Sequence, residues 1–253
     1  MPNANATVVP GVLWGTPGEL FTPAYWLSQY LMREVRGDRG IRHRIGETFA
    51  EEVAACVLGG YGCPAQIGHA AFRRLRDSGC ISSLCDDVDV LAVKLKEPLE
   101  IAGRKITYRF WRQKARYLAG AFQALRHLDL SFDCPLQLRD TLTTLPGVGP
   151  KTASWIVRNW TNTDDVAILD VHVIRAGMMM RLYSERDRVE RDYPRMEERF
   201  VALARNMGIP TSDLDALIWS LMRSTPRLVA RLLHNTRNSP NGPRQSPNPL
   251  GRA

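Results

Sequence analysis

The chain contains no run of about 18 apolar residues, which excludes a membrane-spanning helix. Residues Met1 to Gly11 lack a basic segment followed by an apolar one, so no signal peptide is expected. Cysteine is scarce, with five in 253 residues. Cys63, Cys80, Cys85 and Cys134 form no Cys-x2-Cys pair and have no histidine pair nearby, so no metal site is expected. Cys56 shares an apolar helical face with Phe49 and Val53 and reads as core. There is no internal repeat and no sustained two-residue alternation, which argues against an extended sheet. Gly-Val-Gly-Pro-Lys-Thr lacks the glycine that a P-loop places directly before Lys-Thr, and the segment before it is helical rather than a strand. A nucleotide-phosphate loop is therefore excluded.

What is present is enough apolar matter for one substantial core or two smaller ones, 44% of the chain. The net charge of +8 suits a polyanionic partner. The most informative stretch runs from Leu142 to Val157 and reads as helix, tight glycine turn, helix. Leu138, Leu142 and Leu145 line the first helix; Ala153, Ile156, Val157 and Trp160 line the second at helical spacing. Between them Gly147 and Gly149 allow positive φ and close approach by another backbone, and Pro150 suits the first helical position. Unpaired N–H groups around Gly147, Val148, Gly149 and Lys151 would form an anion site that fits a DNA phosphate. Lys151 points roughly 160° from Ala153, away from the apolar stripe. A cation at the positive end of a helix adds nothing to stability there.

Asp170 opens the next helix, on which Val171, Ile174, Met178 and Leu182 are expected to be buried. Aspartate is among the best helix caps, so Asp170 by itself needs no role in chemistry.

Leu-Pro-Gly-Val-Gly-x-Lys-Thr-Ala followed by Leu-Asp-Val-His-Val-Ile-Arg resembles the helix–hairpin–helix DNA glycosylase superfamily, most closely its 8-oxoguanine branch. The match is densest over 136–183 and scattered over 45–125 and 210–225. The resemblance implies an all-α fold of two helical subdomains with a base-binding cleft between them. One would be a central barrel, 45–165, and the other 1–44 plus 166–234. It implies Lys151 and Asp170 as the catalytic pair of a bifunctional glycosylase and AP lyase, and His172 as a phosphate contact. The partner would be duplex DNA carrying a damaged base, met by a monomer in the bacterial nucleoid or a eukaryotic nucleus. No cofactor is required, although the hairpin carbonyls are a candidate seat for a structural monovalent or divalent cation. Some relatives hold an iron–sulfur cluster with four cysteines after the aspartate helix; this chain has none after Cys134, which excludes that cluster. The same chemistry on oxidised pyrimidines, or a non-catalytic DNA-binding module, are the alternatives.

Other segments read as helices over 23–31, 45–58, 65–77, 81–95 and 111–128, with 97–106 a loop or short extended piece. Glu185 to Asp192 reads as a charged linker before a helix from Pro194 to Met207. Ser212 and Asp215 resemble a capping-box start for a helix carrying Leu214, Leu217, Ile218 and Leu221. Trp219 lies off that stripe, free to stack on a flipped base, and the resemblance brings Asp213 and Asp215 to the same pocket. Tyr61 resembles the wedge that fills the emptied base stack, with Gln66 its rival. The Asn-, Pro- and Arg-rich tail, 235–253, has little to bury and is expected to be disordered.

Overall fold

A computed structural model describes residues 1–38, 44–60, 62–229 and 231–232. Tyr61 and the tail from 235 onward lie outside the described residues.

The helices begin where the local chemistry puts a cap. Helix α1, Pro23–Val35, starts at Thr22, whose side chain accepts from Tyr25 N, with proline in the first turn. Helix α2, Phe49–Leu58, carries a full capping box of Thr48 and Glu51, so the helix starts four residues later than the apolar pattern suggested. Helices α3, Ala65–Asp77, and α4, Val88–Lys96, follow. Asp87 caps α4 through Asp89 N and Val90 N, which leaves 81–87 outside the helix, with 81–84 as turn. Helices α5, Trp111–Leu125, α6, Pro135–Leu142, and α7, Pro150–Thr161, complete the first half. After α8, Val171–Met179, come α9, Val189–Met207, and α10, Thr211–Ser224.

Two small antiparallel hairpins interrupt the helices. Strands β1, Thr7–Val9, and β2, Val12–Leu13, pair near the start. Strands β3, Leu99–Ile101, and β4, Arg104–Ile106, pair across a turn in which Ala102 and Gly103 both have positive φ. The extended option for 97–106 is the one taken; the first hairpin was not anticipated.

Three further readings from sequence need correction. Helix α9 starts at Val189 and contains Pro194, because Asp192 closes the first turn on Arg188 N and the proline removes one bond near the helix start. Helix α10 starts at Thr211, where Ser212 N donates to Asp164 Oδ1, so the cap comes from another segment and Asp215 turns inward. On α8 the buried residues are Val173, Ala176 and Gly177, whereas Val171 is 45% exposed. Of the expected stripe, Leu182 is buried in the second core and Ile174 and Met178 pack against it, so only Val171 is displaced, with Val173 taking the buried place.

Buried apolar side chains form two clusters. The first runs from Val53 to Val166 and is built by α2 to α7. The second joins Val8 to Trp26 with Ala167 to Val229. The buried polar side chains Glu52, Arg139, Ser154, Arg158, Asn159, Glu197 and Asp215 are hydrogen-bonded to one another in two groups that border helix α7. Among the described residues no helix is long and apolar enough to cross a membrane.

Candidate active site

The hairpin between α6 and α7 is shaped by close packing on α5. Gly147 has φ +76°, and a Cβ there would lie 2.2 Å from the Tyr117 ring, so both conformation and space demand glycine. Gly149 differs from expectation: with φ −87° and ψ 175° it is extended, and a Cβ would meet open space. Val148 is also corrected, since its N–H donates to Leu145 O and its side chain is buried in the first core. The N–H groups of Gly147 and Gly149 have no backbone acceptor among the described residues, and α7 has no side-chain cap. Those groups, with the orphan donors of Lys151 and Thr152 in the first turn, leave an open anion site.

Helix α8 begins differently. Asp170 caps it, with Oδ1 accepting from His172 N at 2.8 Å and Val173 N at 2.9 Å. No described residue donates to Oδ2. The strap leading to Asp170 is held by three consecutive backbone donors. Ala167 N gives to Glu197 Oε1 at 3.0 Å, Ile168 N to Asp215 Oδ2 at 3.0 Å, and Leu169 N to the Tyr193 hydroxyl at 3.2 Å.

Lys151 and Asp170 both line a cleft of about 510 Å³. Its other walls include α10, through Asp215, Trp219 and Arg223, and the α2–α3 turn with the start of α3. Trp219 is 42% exposed, with the Arg223 guanidinium 4.6 Å from its ring centroid. His172 also lines the cleft, and its buried Nδ1 has no partner among the described residues.

The structure therefore gathers Lys151, Asp170, His172, Trp219 and Asp215 at one place, and leaves two other candidates out. Gln66 is exposed and off the cleft. Asp213 is also off the cleft; partial burial, then Asp164 and Glu34 nearby, raise its carboxyl above the usual range. Asp215 is buried rather than open to solvent and pairs with Arg158 Nη1 at 2.5 Å. Burial pushes its carboxyl up to about 6, with Arg158 opposing. Sequence reasoning missed Trp155 and Arg158, which line the cleft with Lys151. Their signal was available, because positions i, i+4 and i+7 share one helical face.

The sequence matches the 8-oxoguanine DNA glycosylase family over residues 43–209. Comparison with curated proteins gives no match. Among solved structures, the 8-oxoguanine DNA glycosylase of Thermotoga maritima is 24% identical with a TM-score of 0.55, over 80% of this chain and 89% of that one. The 8-oxoguanine glycosylase/lyase of Methanocaldococcus jannaschii, bound to a 15-mer DNA containing 8-oxoguanine, is 21% identical with a TM-score of 0.53, over 80% and 90%. An Endonuclease III–DNA complex reaches a TM-score of 0.57 at 18% identity, over 77% and 82%. These likenesses establish a shared helical fold. The family match, spanning the hairpin, Lys151 and Asp170, goes further: this chain belongs to the 8-oxoguanine DNA glycosylases.

Proposed function

We propose that this protein excises 8-oxoguanine from duplex DNA and then cleaves the strand, with Lys151 as nucleophile and Asp170 as its electrostatic partner. One observation carries the reading: Lys151 and Asp170 stand at the starts of successive helices and line one cleft. A base inside a duplex is out of reach, so the target nucleotide turns out into the cleft. The free Lys151 amine attacks C1′, the bond from C1′ to the base breaks, and the bonding pair leaves with the base. Loss of the amine proton and opening of the sugar ring give a Schiff base. Loss of a C2′ proton then expels the 3′ oxygen, and hydrolysis of the imine returns the lysine. The Oδ2 atom of Asp170 faces the positive charge that grows on the sugar, while Oδ1 stays tied to the helix.

Around this centre, the N–H groups of Gly147, Gly149 and Lys151 hold a phosphate, and His172 holds another at the start of α8. Trp219 stacks on the flipped base. The carbonyls of Leu142 and Leu145 each accept one N–H and retain a second lone pair, which fits a weakly held structural cation; no step runs through it. The two cores act as subdomains, 45–165 and 1–44 plus 166–234, in a monomer that works in the nucleoid or nucleus.

Borohydride trapping tests the reading, using duplexes with 8-oxoguanine, thymine glycol or an abasic site. A covalent adduct on 8-oxoguanine that disappears in Lys151→Gln is expected. An adduct on thymine glycol alone would change the lesion, and tight binding without any adduct would leave a DNA-binding module.

A further inference from the structure

Glu197 is buried, 1% exposed, and lies among the parts that carry the two proposed reacting groups. Its Oε1 accepts from Ser154 Oγ at 2.6 Å, and Ser154 is one turn along α7 from Lys151. The same oxygen accepts from Ala167 N, in the strap that ends at Asp170. Its Oε2 takes the guanidinium of Arg139 on α6, the first helix of the hairpin. Tyr193, one turn earlier on α9, completes the grip: its hydroxyl donates to Ala167 O at 2.9 Å and accepts from Leu169 N. One carboxylate thus ties the nucleophile's helix, the helix before it and the acid's strap.

We propose that Glu197, with Tyr193, is a positioning residue that sets Lys151 against Asp170 across the cleft. The inference rests on the roles proposed for those two residues. A buried carboxylate is costly unless fully paired, and apolar residues of similar volume would hold the helices together at least as well. What apolar packing cannot do is hold a strap by its N–H groups in one fixed register. Burial raises the Glu197 carboxyl above the usual range, against the hydrogen bonds from Ser154 and Ala167 N and the Arg139 guanidinium that hold it down.

The test is a double-mutant cycle read by single-turnover excision of 8-oxoguanine. Tyr193→Phe keeps the ring and removes both hydroxyl bonds; Glu197→Gln keeps the shape and removes the charge. Each is expected to slow the chemical step about tenfold or more, with DNA affinity unchanged, because small misplacements of reacting groups are costly. In an Asp170→Asn background, where the strap has no carboxylate left to aim, the same changes should have little further effect. Losses that multiply in that background, or a lowered Tm with a normal rate for folded protein, would overturn the positioning role. If Glu197→Gln does not fold, Tyr193→Phe alone decides. An Asp170→Asn protein with the wild-type rate would instead refute the role of Asp170 itself.

Discussion

Two helix starts face the same cleft and are finished in opposite ways. Helix α7 begins with Gly149 and Pro150, has no side-chain cap, and leaves its first N–H groups open. Helix α8 begins with Asp170, which satisfies two of its own donors with a single oxygen. An open start accepts an anion from outside; a capped start holds its own anion in a fixed orientation. On the proposed reading, the hairpin phosphate belongs to the open start of α7 and charge stabilisation to Asp170 at the start of α8, and the two are separable by mutation.

The largest effect should come from splitting the two roles of Asp170. Asparagine caps as well as aspartate, so Asp170→Asn should keep Tm near wild type while excision slows on the order of 10²–10³-fold. Asp170→Ala should show the same kinetic loss and a further cost of about 1 kcal/mol in urea unfolding. Equal stability of the two variants would mean the cap contributes nothing.

The α7 side has its own contrast. Gly147→Ala should destabilise the fold by about 2 kcal/mol or more, since the methyl group meets Tyr117 at positive φ. Gly149→Asp, placed in open space, should instead cap α7 and raise stability by roughly a few tenths of a kcal/mol. The same change should weaken DNA binding roughly tenfold, because a carboxylate then occupies the phosphate site. Undiminished affinity would move the phosphate elsewhere.

The remaining contrast is one of pH and concerns Asp215. Its carboxyl is raised from 3.8 to about 6, so the folded state holds a proton that the unfolded chain releases between those values. That group therefore loses stability as pH rises through that window. Relative to Asp215→Asn, wild type should become progressively less favoured from pH 4 to 6, on top of a constant term from the unpaired Arg158. A pH-independent difference between the two denaturation curves would mean Asp215 titrates normally.

The features legible in the sequence are the ones made locally. Gly147, Pro150 and Asp170 shape the backbone within a few residues of themselves, and caps and turns of that kind are read from neighbours. The polar residues between the two cores were not legible, because their partners are distant in the chain: Asn159 with Glu52 is separated by 107 positions and Ser154 with Glu197 by 43. On α8 only Val171 departs from the expected stripe, since Ile174, Met178 and Leu182 do meet the second core while Val173 takes the buried place at the helix start. The start of α10 depends on Asp164, which no local capping rule would find.

The buried acids also bear on how the two halves find one another. Apolar surfaces tolerate sliding, because one leucine replaces another with little change. A slip of α9 by one turn, about 5.4 Å, would carry Glu197 away from Arg139, Ser154 and Ala167 together and strand a charge in the interior. The same holds for Asp215 against Arg158. The acids thus penalise a slipped docking that apolar surfaces alone would tolerate.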